Sequence, residues 1–226
     1  MKRRLLWPAI VALLVLSVPG MAAGQPGDTS PESKFQLFGL LAEDGFDPQN
    51  PTNEVVHVNT TDGQPVGVIR DLHGVPLATL DDQLEFKYYM EDRECGAGSP
   101  RIMLILDTNN SGKFEETEDT FLHGHIKPPY VCLPDEWVHE DLTDSLPRWE
   151  GGPFGNFPLD PWPAVEAALG ATPVLFGFLI EDSQVFAPQN RGNAYYDSLA
   201  IGNRTLEDHS DTARNCSPGC TPPTEP

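Results

Sequence analysis

Oxygen-bearing residues recur at regular spacing within one short segment, residues 107–118. They occupy positions 1, 3, 5, 9 and 12 of the segment, and a glycine stands at position 6: Asp107, Asn109, Ser111, Glu115, Glu118 and Gly112. In a loop of this pattern the glycine permits a sharp turn, and the main-chain carbonyl of position 7, here Lys113, faces inward. Six to eight hard oxygen ligands are what Ca²⁺ requires, so the segment predicts a calcium site.

The flanks of this segment differ from those of a helix–loop–helix calcium site. Apolar runs at 102–106 and 121–126 predict a strand on each side, so we interpret the segment as a calcium loop within a β-domain. Glu118 is the least secure ligand in that setting. A second interpretation stays open, because Asn109–Gly112 also makes a good solvated turn between two strands without any ion.

Aromatic residues cluster in the segment that follows. Tyr130, Trp137 and Trp149 stand among prolines and acidic residues, in a stretch typical of loops. Exposed there, their flat rings would be candidates for stacking on sugar rings. The alternative is that each tryptophan packs beneath a long loop, which is the commoner use of this side chain.

No catalytic motif accompanies these residues. The sequence contains no Gly-x-Ser-x-Gly, no His-Glu-x-x-His and no phosphate-binding loop. Paired acids occur, but 34 Asp and Glu residues make chance pairs common. His123 and His125 would share one face of a strand, with no third metal ligand identifiable. The sequence therefore favours a non-catalytic protein.

The elements that must position these residues are mostly strands. Apolar and polar residues alternate from Leu84 to Met90, and short β-branched or apolar runs bounded by turn residues recur along the chain. One helix is predicted at 163–169, with Pro163 near its start and Gly170 at its end. This pattern predicts an all-β fold, a β-sandwich with one short helix.

The two ends of the chain predict export and a terminal tail. Residues 1–24 have a basic start, an apolar run of about 14 residues and small residues at the end, which is typical of a cleaved signal peptide. We expect a flexible leader at 25–34, one folded domain at 35–206 and a Pro-rich disordered tail at 207–226. A secreted, periplasmic or cell-surface location follows, with no membrane insertion after cleavage.

Four cysteines agree with an oxidising compartment. Cys216 and Cys220 lie together in the tail, so a local disulfide there would leave Cys95 to pair with Cys132. A zinc site is the weaker alternative, because the sequence has no Cys-x-x-Cys pair.

The charge limits the partners. A formal net charge of −20 argues against nucleic acid and anionic membranes, which bind positive surfaces. Cations and neutral molecules are compatible with this charge as ligands. The acidic surface is also compatible with a role in solubility alone.

Three segments together resemble the secreted β-jelly-roll modules grouped with carbohydrate-binding modules and lectin-like domains. Residues 47–56 are similar to the opening loop and strand of that family, 84–89 to a core strand, and 194–202 to the closing strand. The resemblance implies a jelly-roll sandwich. It also implies a second structural calcium at Asp197, although Ser198 stands where the family usually has Asn.

Three functions follow as hypotheses. We expect a secreted, non-catalytic, calcium-stabilised module that binds a glycan or another cell-surface component. A structural surface or matrix protein without a small ligand is the alternative. A polysaccharide-cleaving enzyme is the third, and the absence of a motif disfavours it.

Overall fold

The computed structural model of this chain describes residues 35–39, 42–60, 66–91, 93–96, 99–155, 158–181 and 190–206. The predicted signal peptide, leader and tail lie outside the described residues. The predicted pairing of Cys216 with Cys220 lies outside them too.

The described residues form thirteen strands, one α-helix and two short 3₁₀ turns. The strands are β1 (Gln36–Phe38), β2 (Ala42–Asp47), β3 (Asn50–Asn59), β4 (Val66–Pro76), β5 (Leu84–Met90), β6 (Arg101–Leu106), β7 (Thr120–His125), β8 (Val138–Asp141), β9 (Pro147–Gly151), β10 (Asp160–Pro161), β11 (Pro173–Glu181), β12 (Asn193–Ile201) and β13 (Thr205–Leu206). The helix is α1 (Trp162–Leu169), and the turns span Leu77–Leu80 and Gly152–Phe154.

The strands build two antiparallel sheets. One has seven strands in the order β1-β4-β11-β6-β7-β9-β10, and the other has the order β2-β3-β12-β5-β8 with β13 beside β12. The inner strands of the two sheets, β4-β11-β6-β7 and β3-β12-β5-β8, reproduce the strand order of a jelly roll. The predicted all-β jelly-roll sandwich with one short helix is confirmed.

The core lies between the two sheets, because side chains alternate along each strand. In β5, Leu84, Phe86 and Tyr88 point into the core and are at most 1% exposed. Lys87 and Tyr89 lie on the other face of the sheet. The prediction of a half-buried strand at 84–90 is confirmed, and so is the helix, whose Trp162 and Val165 are buried.

In the described part of the chain, one disulfide joins the β5–β6 loop to the β7–β8 loop. Cys95 follows β5 of the six-stranded sheet, and Cys132 follows β7 of the seven-stranded sheet. The predicted Cys95–Cys132 pairing is confirmed. In the part of the chain that the structure describes, no helix has the length and apolar character needed to span a membrane.

Candidate functional site

A row of aromatic side chains crosses the outer face of the six-stranded sheet. The strand register places Tyr195 of β12 opposite His57 of β3 on one side and opposite Tyr89 of β5 on the other. The β5–β8 register pairs Tyr88 with Val138, so Trp137 comes next to Tyr89. We call His57, Tyr195, Tyr89 and Trp137 the aromatic row.

The rings of the aromatic row contact one another in sequence. His57 stacks on Tyr195 with ring centroids 4.8 Å apart and planes inclined by 23°. Tyr195 meets Tyr89 edge to face at 6.0 Å, and Tyr89 meets Trp137 at 5.7 Å. Such offset and edge-to-face pairs are the favoured geometries for aromatic rings. Tyr89, enclosed between its neighbours, is only 7% exposed, whereas Trp137 is half-buried.

The polar tips of these rings are hydrogen-bonded to carboxylates. The indole Nε1 of Trp137 donates to Asp47 at 3.0 Å, and the Tyr195 hydroxyl donates to Glu91 at 3.3 Å. Burial, with the charge of Glu91, raises the pKa of Tyr195 to about 12. The phenol therefore remains a hydrogen-bond donor at neutral pH.

The far end of the row is fixed in the same way. His57 lies between Glu43 of β2, 3.0 Å from its Nδ1, and Asn193, 3.1 Å from its Nε2. Asn193 in turn donates to Glu91. These contacts hold the imidazole ring parallel to the Tyr195 ring.

A cleft opens beside Trp137 on the same face. Its volume is about 270 Å³, and it is lined by Asp47, Lys87, Trp137, Val138, His139 and Asp197. One flat indole surface thus adjoins two carboxylates, an ammonium group and an imidazole. This combination of one apolar platform with a few polar groups is typical of sites for small polar ligands.

Asp197 lines this cleft. It belongs to β12 of the six-stranded sheet, whereas residues 107–118 connect two strands of the seven-stranded sheet. Its Oδ2 accepts a hydrogen bond from Asn53 at 3.4 Å, and its Oδ1 accepts the main-chain N–H of Ser198 at 2.7 Å. The β12 register shifts between Asp197 and Ala200, and Ser198 has a φ of 49°. The predicted second calcium at Asp197 stays a prediction.

Trp149 lies in the core, so the packing interpretation is confirmed and Trp149 is wrong as a candidate ligand-binding residue. It is 0% exposed and packs on Trp162 with ring centroids 5.2 Å apart. Its Nε1 donates to the carbonyl of Leu142 at 2.8 Å. The space exists because Gly124 stands opposite it in β7, where a Cβ atom would lie 2.7 Å from the indole.

Tyr130 is not among the residues that line the cleft. Its hydroxyl donates to the carbonyl of Pro147 at 2.9 Å, and burial raises its pKa. Of the three aromatic residues predicted from sequence to contact a ligand, only Trp137 belongs to the aromatic row.

The predicted calcium loop connects β6 to β7 and brings most of its candidate oxygens together. Both oxygens of Asp107 accept main-chain N–H groups, from Ser111 at 2.9 Å and Gly112 at 2.7 Å. The Asn109 carbonyl oxygen also accepts the N–H of Ser111, at 2.9 Å. The Ser111 hydroxyl contacts the carbonyl of Lys113 at 2.9 Å.

Two glutamates of the loop differ in position. Glu115 accepts a hydrogen bond from the amide of Asn109 and so joins the cluster. Glu118 has an exposed side chain, and its main chain contacts the loop: its N–H donates to the Glu115 carbonyl at 2.9 Å, and its carbonyl accepts from the Thr108 hydroxyl. Within the described ranges, no group of three or more His, Cys, Asp or Glu residues is placed to hold a metal. Calcium loops also draw ligands from amide, hydroxyl and main-chain oxygens.

Sequence reasoning missed Tyr89, His57 and Asp47 as site residues. Tyr89 and His57 occupy the outward positions of strands that the sequence did predict, so alternation alone places them on the outer face. Their alignment with Trp137 depends on the register of three strand pairs, which local patterns do not specify. Comparison of the sequence with protein-family models and with curated proteins finds no match.

Proposed function

We propose that this chain is an exported, non-catalytic, calcium-stabilised β-sandwich module that binds a glycan on the outer face of its six-stranded sheet. The observation that carries the proposal is the aromatic row with the cleft beside Trp137. The jelly-roll strand order and the Cys95–Cys132 disulfide support a relationship to secreted carbohydrate-binding modules and export to an oxidising compartment.

The chemistry of the cleft suits a sugar. A pyranose ring presents apolar C–H groups on its faces and hydroxyl groups at its rim, so it needs a flat apolar surface bordered by hydrogen-bonding groups. Trp137 supplies the surface, and Asp47, Asp197, Lys87 and His139 border it. The net charge of −20 favours neutral or cationic glycans over sulfated or uronic acid polymers.

The carboxylates of the cleft favour binding over catalysis. Asp47 accepts hydrogen bonds from the N–H of Gln49 and from Trp137, and Asp197 accepts them from Asn53 and Ser198. Both groups therefore act as acceptors. A glycosidase needs one of its two carboxyl groups to act as a proton donor.

Calcium in the loop 107–118 would stabilise the same module. Asp107 is 1% exposed, and Asn109, Ser111, Lys113 and Glu115 each contribute an oxygen to the cluster around it. A cation there would offset the repulsion among buried acids at the end of the β6–β7 hairpin.

The test is a glycan array of neutral plant and microbial polysaccharides, followed by affinity electrophoresis with the best ligand. We expect Trp137→Ala to weaken binding at least about 10-fold, because the stacking surface is removed. Trp137→Phe should restore part of the affinity. Tyr130→Phe, outside the aromatic row, is the matched control and should bind like the wild type. Binding by Trp137→Ala equal to that of the wild type would overturn the proposal.

A structural surface or matrix protein is the second candidate. The observation that favours it is the burial of the aromatic row, in which Tyr89 is enclosed and the other rings are only partly exposed. No glycan binding at high protein concentration, together with a fold that is stable only in concentrated salt, would support this alternative.

A further inference from the structure

The register of the β6–β7 hairpin decides which acidic residues face each other across the loop. Each described pair in this hairpin follows one register, from Arg101 opposite His125 to Leu106 opposite Thr120. Extended beyond its last pair, the same register would bring Asp107 opposite Asp119 and, one residue further, Thr108 opposite Glu118. The Thr108 hydroxyl indeed donates to the Glu118 carbonyl.

Opposed residues of an antiparallel pair have their side chains on the same face, and successive residues alternate. Asp107 and Asp119 therefore share one face of the hairpin end, and Glu118 lies on the other. Burial agrees with this assignment: Asp107 is 1% exposed and Asp119 is 8% exposed, whereas Glu118 is exposed.

The buried carboxylate of Asp119 lacks one partner. Its Oδ2 accepts the N–H of Glu115 at 2.7 Å, which places the group over the loop. Its Oδ1 is buried and has no hydrogen-bond partner among the residues that the structure describes. A buried acceptor without a partner is costly, and a bound cation is one way to satisfy such a group.

We propose that Asp119, and not Glu118, supplies the second carboxylate of the calcium site in this loop. The ion would lie between the carboxylates of Asp107 and Asp119, with Asn109, Ser111 and the Lys113 carbonyl as further oxygen ligands and Glu115 acting through a water. Two acids and several neutral oxygens form the donor set that Ca²⁺ prefers. This inference rests on the calcium part of the proposed function and corrects its ligand set.

The test compares two isosteric variants of the full chain, Asp119→Asn and Glu118→Gln. Calcium chloride is titrated into each chelator-treated protein by calorimetry, and the melting temperature is measured with EDTA and with excess calcium. Loss of an outer contact to a metal ligand typically weakens binding 10- to 100-fold, and loss of a ligand should cost at least as much. We expect Asp119→Asn to weaken calcium binding at least about 10-fold and Glu118→Gln to stay within about 2-fold of the wild type.

The outcomes separate the two proposals. Wild-type protein that neither binds calcium nor melts higher with it would overturn both the calcium part of the proposed function and this inference. Calcium binding that survives Asp119→Asn, or that is lost in Glu118→Gln, would overturn the inference alone. Asp119→Asn should fold in EDTA, because it removes a buried charge. Asp119→Ser, smaller and also uncharged, repeats the test if the first variant does not fold.

Discussion

The outer faces of the two sheets are built from different kinds of residue. On the six-stranded sheet, aromatic rings have polar tips that are hydrogen-bonded to carboxylates, as for Trp137 and Tyr195. On the seven-stranded sheet, the residues that alternate with the core form a second apolar cluster, all at most 8% exposed: Phe38, Ile69, Met103, Ile105, Leu175, Phe178 and Ile180.

Under the proposed function, this difference separates stability from recognition. The second apolar cluster is closed to solvent, so its contribution is burial of apolar area, which stabilises the fold without selecting a ligand. The aromatic row keeps Trp137 half-buried beside a cleft and surrounds it with groups that can bind hydroxyls. A sandwich needs only one such face to act as a binding module.

The largest expected effect concerns the apolar cluster. Phe178 is 2% exposed and packs on Phe38 at 5.9 Å, so Phe178→Ala should lower the free energy of unfolding by about 3–5 kcal/mol. Trp137→Ala, at a half-buried position, should cost roughly half as much. Urea denaturation of both variants measures the difference. If Phe178→Ala and Trp137→Ala lowered the free energy of unfolding equally, the outer faces of the two sheets would contribute equally to stability, against this prediction.

The second prediction concerns the disulfide, which joins two loops that run between the two sheets. Replacing Cys95 and Cys132 together by serine releases a loop of about 38 residues in the unfolded chain and should cost about 2–4 kcal/mol. Urea denaturation checks this, with dithiothreitol-treated wild type as a second measurement. A variant as stable as the oxidised wild type would show that the sheets hold together through packing alone.

The smallest effect is the acid response of the seven-stranded sheet. Burial, with the charges of Arg101 and His125, holds the pKa of His123 well below its usual range. Its Nδ1 is buried and has no hydrogen-bond partner within the described part of the chain, and Glu150 stands opposite it in β9. The folded state therefore binds fewer protons than the unfolded state below a pH of about 6.5.

Above pH 6.5 this histidine is neutral in both states and does not lower the free energy of unfolding. Below that pH the unfolded state gains a proton, so the free energy of unfolding falls by up to about 1.4 kcal/mol per pH unit. His123→Gln should remove that slope between pH 6.5 and 5.5. His139→Gln, a change at a half-exposed histidine of the other sheet, is the control. Melting temperatures across the pH range measure both. An unchanged slope in His123→Gln would assign the acid response to other groups.

The sequence predicts the sandwich well where strands are apolar or strictly alternating. The runs at 84–90 and 101–106 correspond to β5 and β6, and the short helix ends at Leu169 as expected. β2 was missed because half of the residues in Ala42–Asp47 are acidic and the segment becomes a strand only by pairing with β3. Here tertiary context overrides local propensity.

The candidate site was harder to predict because its geometry depends on register. Asp119 lies one residue beyond the twelve-residue calcium pattern, and its contact with the N–H of Glu115, at the end of the β6–β7 register, places it beside the loop. Trp149 has the same local surroundings in sequence as Trp137, yet Gly124 on a neighbouring strand makes room for it in the core. Local composition does not encode such pairings.

The order of strands in the sheets has a consequence for biosynthesis. β11 and β12 are the last two long strands of the described chain, yet each lies in the middle of its sheet, β11 between β4 and β6 and β12 between β3 and β5. While the polypeptide is still emerging from the ribosome, β3, β4, β5 and β6 have unpaired edges, which invite aggregation. Neither sheet closes until these two strands have been translated. A chain of this topology therefore benefits from being kept unfolded by chaperones until translation has passed Ile201.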